Sequence, residues 1–300
     1  MPPLELDDWQ YDIGGVLIGK DTTVNVIKVD GLGRPPVRDN DVDQPSADGS
    51  FAGPDYWSGR QIQFDAAIKI PGDPAGCQDM VAALQAVTDG SSVRLIGGQG
   101  MALRIKRPGR PVKQVTVRAR KLDPDDSRII HGYVPLDLEF LAHDPTFYAD
   151  EDTTTEIPLG WLTGGGFSAP ITAPIFVQSG TTAAVRPGWV TNNGDADAWP
   201  IIRITGPCAN VSIIHVASGR TLALPTLSLA AGRWIEIDTR PGYRTVTWDN
   251  GGNASTYLSP ASRIDLFSLP KGTSEMRWTA FDSTNTGRMR LTWRDAYTAL

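Results

Sequence analysis

The chain has 300 residues, 40% hydrophobic and 21% charged, with a net charge of −6. That is enough apolar material for a core, at a length that favours two domains over one. It holds no apolar run of membrane-spanning length, its start "MPPLELDDWQYDIGG" lacks the basic and apolar parts of a signal peptide, and Cys77 and Cys208 fit no metal or redox spacing, which reads them as unpaired buried thiols from a reducing cytoplasm.

In chain order, "LELDDWQYDI", "TTVNVIKVDGL" and "GRQIQFDAAIKI" alternate apolar and polar residues and read as strands. "GDPAGCQDMVAALQAVTDG" reads as a helix. Asp73 is its N-cap, Pro74 its first residue, Met80, Val81, Leu84 and Val87 its apolar stripe, and Gly90 its end. The stretches "SVRLIG", "MALRIKRPG", "VKQVTVRARKL" and "IIHGYVPLDLEFLAHDP" return to the strand pattern. In "QVTVRARK", Val115, Val117 and Ala119 share one face and Thr116, Arg118 and Arg120 the other. One half-buried sheet with one covering helix accounts for the chain to about residue 150.

"YADEDTTTEIPLGWLTGGGFSAP" then marks a boundary and linker, which divides the chain into domains 1–152 and 153–300. Beyond it no helix can be read. Short strands recur with Gly, Pro and Asn between them, from "AAVRP" through "RMRLTWRDAY", the pattern of an all-β sandwich or jelly roll. Seven of the nine tryptophans follow residue 160: Trp161, Trp189, Trp199, Trp234, Trp248, Trp278 and Trp293. They read as sandwich core, or alternatively as an exposed platform for host-wall carbohydrate.

Residues 1–57 hold eleven acids against Lys20, Lys28, Arg34 and Arg38, while residues 94–128 hold ten Lys or Arg against Asp123, Asp125 and Asp126. A basic segment of this kind suits a nucleic acid, a solvated face, or the acidic segment of the same or another copy. Catalytic, metal and cofactor signatures are missing. His131, His143 and His215 have no ligand-spaced neighbours, no nucleophile elbow or phosphate loop is present, and "GGQG" at 97–100 and "GGG" at 164–166 lack a strand-to-helix setting. Binding or building is left, without an enzymatic role or a cofactor.

The segment from Arg34 to Arg60, "RPPVRDNDVDQPSADGSFAGPDYWSGR", joins two adjacent strands and shows no apolar period. A flexible excursion here costs little extra closure entropy and can order against a neighbour through Phe51, Tyr56 and Trp57. A loop that tucks these aromatics onto its own sheet is the other reading.

"GLGRPPVRDNDVDQPSADGSFAGPDYWSGRQIQF" resembles the first-domain signature of the distal tail proteins of long-tailed, non-contractile bacteriophages, with Asp48-Gly49, Gly53-Pro54-Asp55 and Gly59-Arg60 in the signature places. "LDLEFLAHDPTFYAD" resembles the strand and Asp-Pro-x-x-Tyr turn (Asp144, Pro145, Tyr148) that end that domain. "VTNNGDADAWPIIRITGPCANVSIIHVASGRTLAL" resembles the opening of the family's second sandwich, with Asn193-Gly194-Asp195 and Trp199-Pro200. The resemblance implies a mainly β chain: an α+β first domain, a split β-barrel with one helix related to tail-tube proteins, then a galectin-like β-sandwich. It implies a virion protein made in the host cytoplasm, a homo-hexameric ring at the tail tip. The ring would join the tail tube to a tail-associated lysin or fibre and to receptor-binding proteins, and pass viral DNA without reading it. It also implies that the segment Gly33–Arg60 takes part in ring contacts, and no catalytic residue.

A ring uses heterologous contacts, one face against a different face of the next copy. The expected contact brings Asp39, Asp41, Asp43, Phe51, Tyr56 and Trp57 of one copy to the basic strands at 104–121 of the next, with Arg104, Arg118 and Arg120 as partners. Such charges set register more than affinity.

Overall fold

The computed structural model describes residues 4–159, 188–284 and 286–300, in two compact units. One comprises the chain up to Asp150 together with Tyr297–Leu300, the other Glu151–Ala296.

The first unit contains β1 (Gln10–Ile13), β2 (Val16–Gly19), β3 (Val24–Asp30), the two-residue strands β4 (Val37–Arg38), β5 (Val42–Asp43), β6 (Ser50–Phe51) and β7 (Tyr56–Trp57), and then β8 (Arg60–Lys69). Helices α1 (Pro74–Thr88) and α2 (Ser91–Arg94) follow, then β9 (Met101–Ile105), β10 (Lys113–Pro124), β11 (Tyr133–Ala142) and β12 (Phe147–Ala149). The main sheet runs β2-β1-β9-β10-β11-β8-β3. Its middle strand serves two half-sheets. β10 pairs with β9 along Lys113–Val117 and with β11 along Arg118–Pro124, and the register shifts between Ala119 and Lys121. A bulge there bends and twists the strand, so one long strand can turn the corner between two layers. Tyr11 of β1 meets Phe64 of β8 edge-on at 5.0 Å, and Phe64 meets Phe140 of β11 at 5.9 Å, which closes the core between the half-sheets. Burying a ring such as Phe64 stabilises the fold by about 1.5–3 kcal/mol.

β8 shows the period-two pattern in full over its first half, with Arg60, Ile62 and Phe64 buried and Gln61, Gln63 and Asp65 exposed. In α1 the Asp73 carboxylate accepts from the Gly76 N–H at 2.9 Å, a satisfied N-cap in front of Pro74. The buried stripe is Cys77, Val81, Leu84 and Thr88, so the expected Met80 and Val87 flank it half-buried. The helix ends at Thr88 with Asp89 as its cap, one residue before the expected Gly90.

Three strand expectations shift. "SVRLIG" forms α2 and a turn, because the backbone closes locally (Val93 and Arg94 N–H to Gly90 O, Leu95 N–H to Ser91 O) and leaves Leu95 and Ile96 outside. "IIHG" belongs to a 3-10 turn, Asp126–His131, and β11 starts at Tyr133. The first strand begins only at Gln10 and pairs with β2, which was not expected as a strand of its own.

The second unit contains β13 (Thr153–Pro158), β14 (Trp189–Asn192), β15 (Ile201–Thr205), β16 (Cys208–His215), β17 (Arg220–Leu229), β18 (Trp234–Asp238), β19 (Thr245–Trp248), β20 (Gly272–Phe281) and β21 (Arg288–Trp293). They make a five-stranded sheet, β13-β21-β15-β18-β19, and a four-stranded sheet, β14-β20-β16-β17. Ile202, Ile204, Ile235, Ile237, Met289 and Leu291 of the first bury one face, and Val211, Ile213, Leu222, Leu224, Met276 and Trp278 of the second bury the other. The Trp278 ring spans the layers, its Nε1 donating to the Ile157 carbonyl at 3.0 Å. This is the sandwich read from the sequence. The expected strand "AAVRP" and the glycines at 164–166 lie outside the described residues.

Candidate assembly surface

β3 ends and β8 begins side by side, and the chain between them leaves the sheet. It does so as a self-paired arm rather than as the unstructured loop expected. Val37 pairs with Trp57 and Arg38 with Tyr56; further out Val42 pairs with Phe51 and Asp43 with Ser50. Gln44 N–H to Gly49 O, at 3.0 Å, closes the tip. Between the two ladders the Asn40 amide donates to the Pro54 carbonyl and Asp41 Oδ1 accepts from the Gly53 N–H, both at 2.8 Å. A side chain at Gly53 would place its Cβ 2.1 Å from the Asn40 carbonyl oxygen, so only glycine lets the two sides approach there. Two-residue ladders leave no periodicity for a sequence to reveal.

None of residues 34–59 is buried. Phe51 is 62% exposed, Val42 62%, Tyr56 52% and Trp57 49%. The only ring contacts they make among the described residues are local: Arg34 lies over Trp57 at 4.7 Å and Arg38 over Tyr56 at 5.6 Å. The reading in which the arm covers its aromatics against its own sheet is therefore overturned. Asp39 and Asp43 are exposed on the same arm, as is Asp41.

The root of the arm is held by Arg60. Its guanidinium is 1% exposed, donates from Nη1 to the carbonyls of Gly31 and Gly33 and from Nε to that of Pro145 at 3.1 Å, and has no ion pair among the described residues. Burial lowers its proton affinity, yet a guanidinium stays charged. Gly31 has a φ of +86°, and a Cβ there would fall 1.8 Å from the Gln61 carbonyl oxygen. Sequence reading took Gly59-Arg60 only as a motif and missed this role; the signal was a lone Arg at an inward position of a period-two strand.

The expected cationic partners separate. Arg104 is corrected: it is 8% exposed, its Nε and Nη2 bond Asp150 at 2.7 and 2.6 Å, and its Nη1 bonds Asp12 at 3.0 Å. Those hydrogen bonds, the ones it donates to Asp150 first, raise its affinity for the proton and commit it inside its own unit. Arg118 is half-buried and donates to the carbonyls of Gln99 (2.6 Å) and Ile96, fixing the turn that carries Leu95 and Ile96. Arg120 is exposed, 3.4 Å from His143 Nε2. The structure thus brings the arm residues together, keeps Arg120 on the surface, and withdraws Arg104.

The remaining sequence features have structural roles. Tyr148 O–H donates to Asp144 at 2.6 Å and closes the Asp-Pro-x-x-Tyr turn. The Asn-Gly-Asp motif follows the buried Asn192, whose amide donates to the carbonyls of Ala196 and Leu269. Of the six described tryptophans after residue 160, Trp278 and Trp293 are buried and Trp189, Trp199, Trp234 and Trp248 half-buried. None of these six is classed as exposed; Trp161 lies outside the described residues. No cluster of metal-ligating side chains, and no helix long and apolar enough to cross a membrane, occurs among the described residues.

Residues 193–297 match a family model described as the siphovirus-type tail component, C-terminal domain. No curated protein matches the chain. Among solved structures the chain is similar to the Dit protein of phage SPP1, described as a paradigm of the hub adsorption apparatus in phages infecting Gram-positive hosts. The identity is 12% and the TM-score 0.59, over 96% of this chain and 98% of that one. It is also similar to chains of the phage P2 baseplate in its activated conformation, with calcium (12%, TM-score 0.53) and with strontium (13%, TM-score 0.52), each over 94% of this chain and 97% of the other. At these identities the likeness is one of fold, running nearly end to end. The likeness bears out a mainly β chain with an α+β first domain, and the family match bears out the resemblance to the distal tail family over residues 193–297.

Proposed function

We propose that the protein is a structural component of a siphophage virion, a ring hub at the distal end of the tail that joins the tube to the adsorption apparatus. The observation that carries this reading is the arm: an exposed, self-paired hairpin with its apolar side chains outside its own core. Monomeric proteins rarely leave such groups in contact with water unless something covers them. The end-to-end likeness in fold to hub and baseplate chains, and the family match over residues 193–297, supply the setting. The domains act separately in this reading: residues 1–152 form the ring, and residues 153–300, the galectin-like sandwich, face the fibre, lysin or receptor-binding proteins. The number six comes from the resemblance. Tail tube and adsorption proteins are the partners, DNA passes the ring unread, and the reading assigns the chain no reaction.

Negative-stain electron microscopy of the purified protein tests it. Closed rings are expected for the natural chain, and single copies when Phe51, Tyr56 and Trp57 are all changed to Ser. Rings unaffected by that triple change would remove the arm from the assembly.

A further inference from the structure

We propose that the arm of one copy seats on the turn Leu95–Gln99 of a second copy. The proposal rests on the ring reading and names its acceptor surface.

Ile27, Ile130 and Trp9 of the first unit are exposed singly, whereas the turn presents two large apolar side chains in succession outside the arm. Leu95 is 69% exposed and Ile96 52%, side by side between α2 and β9. They are also pre-set: Arg118 reaches across from β10 and bonds the carbonyls of Ile96 and Gln99, so the exposed pair sits on backbone with a fixed shape. A pinned apolar knuckle loses little entropy when it is covered. The arm supplies a matching surface in Val42, Phe51, Tyr56 and Trp57.

The charges agree with the pairing. The arm, residues 34–59, carries Asp39, Asp41, Asp43, Asp48 and Asp55 against Arg34 and Arg38. Arg94 lies in the helical turn before the knuckle and Arg118 is bonded to its carbonyls, while Arg120 lies two residues further along β10, beside His143. An apolar centre within an acidic rim on one side and a basic rim on the other favours this contact and opposes arm against arm.

Arg60 pairs with Ala142, Leu141 with Arg118, and Val117 with Met101, so the root of the arm and the turn before β9 both lie level with the middle of β10. β8 and β9 run in opposite directions, so the arm and the turn leave that level on opposite sides, as donor and acceptor of a contact between different faces do. Each side of the arm, eleven residues from Arg34 to Gln44 or from Gly49 to Gly59, spans up to about 36 Å when extended. That reach carries Phe51 beyond its own sheet, and its exposure shows that it does not fold back.

The test links copies chemically and leaves Phe51, Leu95 and Ile96 intact. Both natural cysteines are buried, and burial together with the nearby Asp282 pushes the Cys208 thiol up to about 11, which keeps it unreactive at neutral pH. A chain with Ser50→Cys and Gly97→Cys is treated with a short bis-maleimide and run on a denaturing gel. A ladder of multiples is expected from the double variant and none from either single one, with at least a tenfold loss of ladder when Leu95→Asp is added. An internally linked single chain, or dimers from one cysteine alone, would overturn the proposal. A chain that sediments as a ring yet gives no ladder overturns this acceptor and leaves the ring. A chain that is single at every concentration and gives no ladder overturns both.

Discussion

The Arg60 guanidinium lies 4.4 Å from the centre of the Phe147 ring, while its Nη1 holds the Gly31 and Gly33 carbonyls on the other side of the arm's root. A planar cation suits this place because one face can rest on an aromatic ring while the edge donates to several carbonyls. Arg60→Met keeps the apolar stem and leaves three carbonyls without their donor. The expected cost is about 1–3 kcal/mol in the unfolding free energy, read by urea denaturation. Limited proteolysis should also begin at the arm root in the variant and not in the natural chain.

Gly31→Ala attacks the same root through the backbone. The φ of +86° disfavours any side chain, and the added carbon would press on the Gln61 carbonyl in β8. The expected outcome is a larger loss than for Arg60→Met, seen as a lower melting temperature or insoluble protein.

Phe51→Ser and Trp57→Ser should behave in the opposite way. Both side chains are exposed in the single copy. Their removal should change the stability of the single copy by no more than about 0.5 kcal/mol, measured by denaturant unfolding at low protein concentration. Assembly should fall all the same, and that separation of folding from assembly is what distinguishes a docking arm from a structural loop.

His215 provides a pH prediction. It is 2% exposed, its Nδ1 lies 2.6 Å from the Ser218 hydroxyl, and its Nε2 has no partner among the described residues. Burial, aided by Arg220 and opposed by Asp197, lowers its affinity for a proton below the ordinary histidine value near 6.5. The unfolded chain therefore takes up the proton first as the pH falls. Stability from the neutral ring is complete above about pH 6.5 and declines below it. Thermal melts between pH 7.5 and 5 should show the loss, and His215→Gln should flatten that part of the curve.

How much of this was legible beforehand follows from the length of each signal. β8 alternates over ten residues and α1 carries a capping Asp, a Pro and a four-residue apolar stripe, so both are readable from local chemistry. The arm is held by ladders only two residues long, and α2 is a single turn; neither is long enough to build a period. The arm aromatics were legible as anchors because Phe, Tyr and Trp stand out among Gly and Asp. Arg104 was misplaced because a basic residue on an alternating strand looks alike whether its partner is water or, as here, Asp12 and Asp150, which approach from 92 and 46 residues away. Leu95 and Ile96 read as strand residues for the same reason: exposure depends on what the fold puts beside them.

Native mass measures the central claim, that the arm lies against another copy. Sedimentation of the natural chain over a series of concentrations should reach six times its 32.4 kDa, and a chain with residues 39–55 replaced by a short Gly-Ser turn should stay at a single copy. Equal masses for the two chains at every concentration would contradict the account.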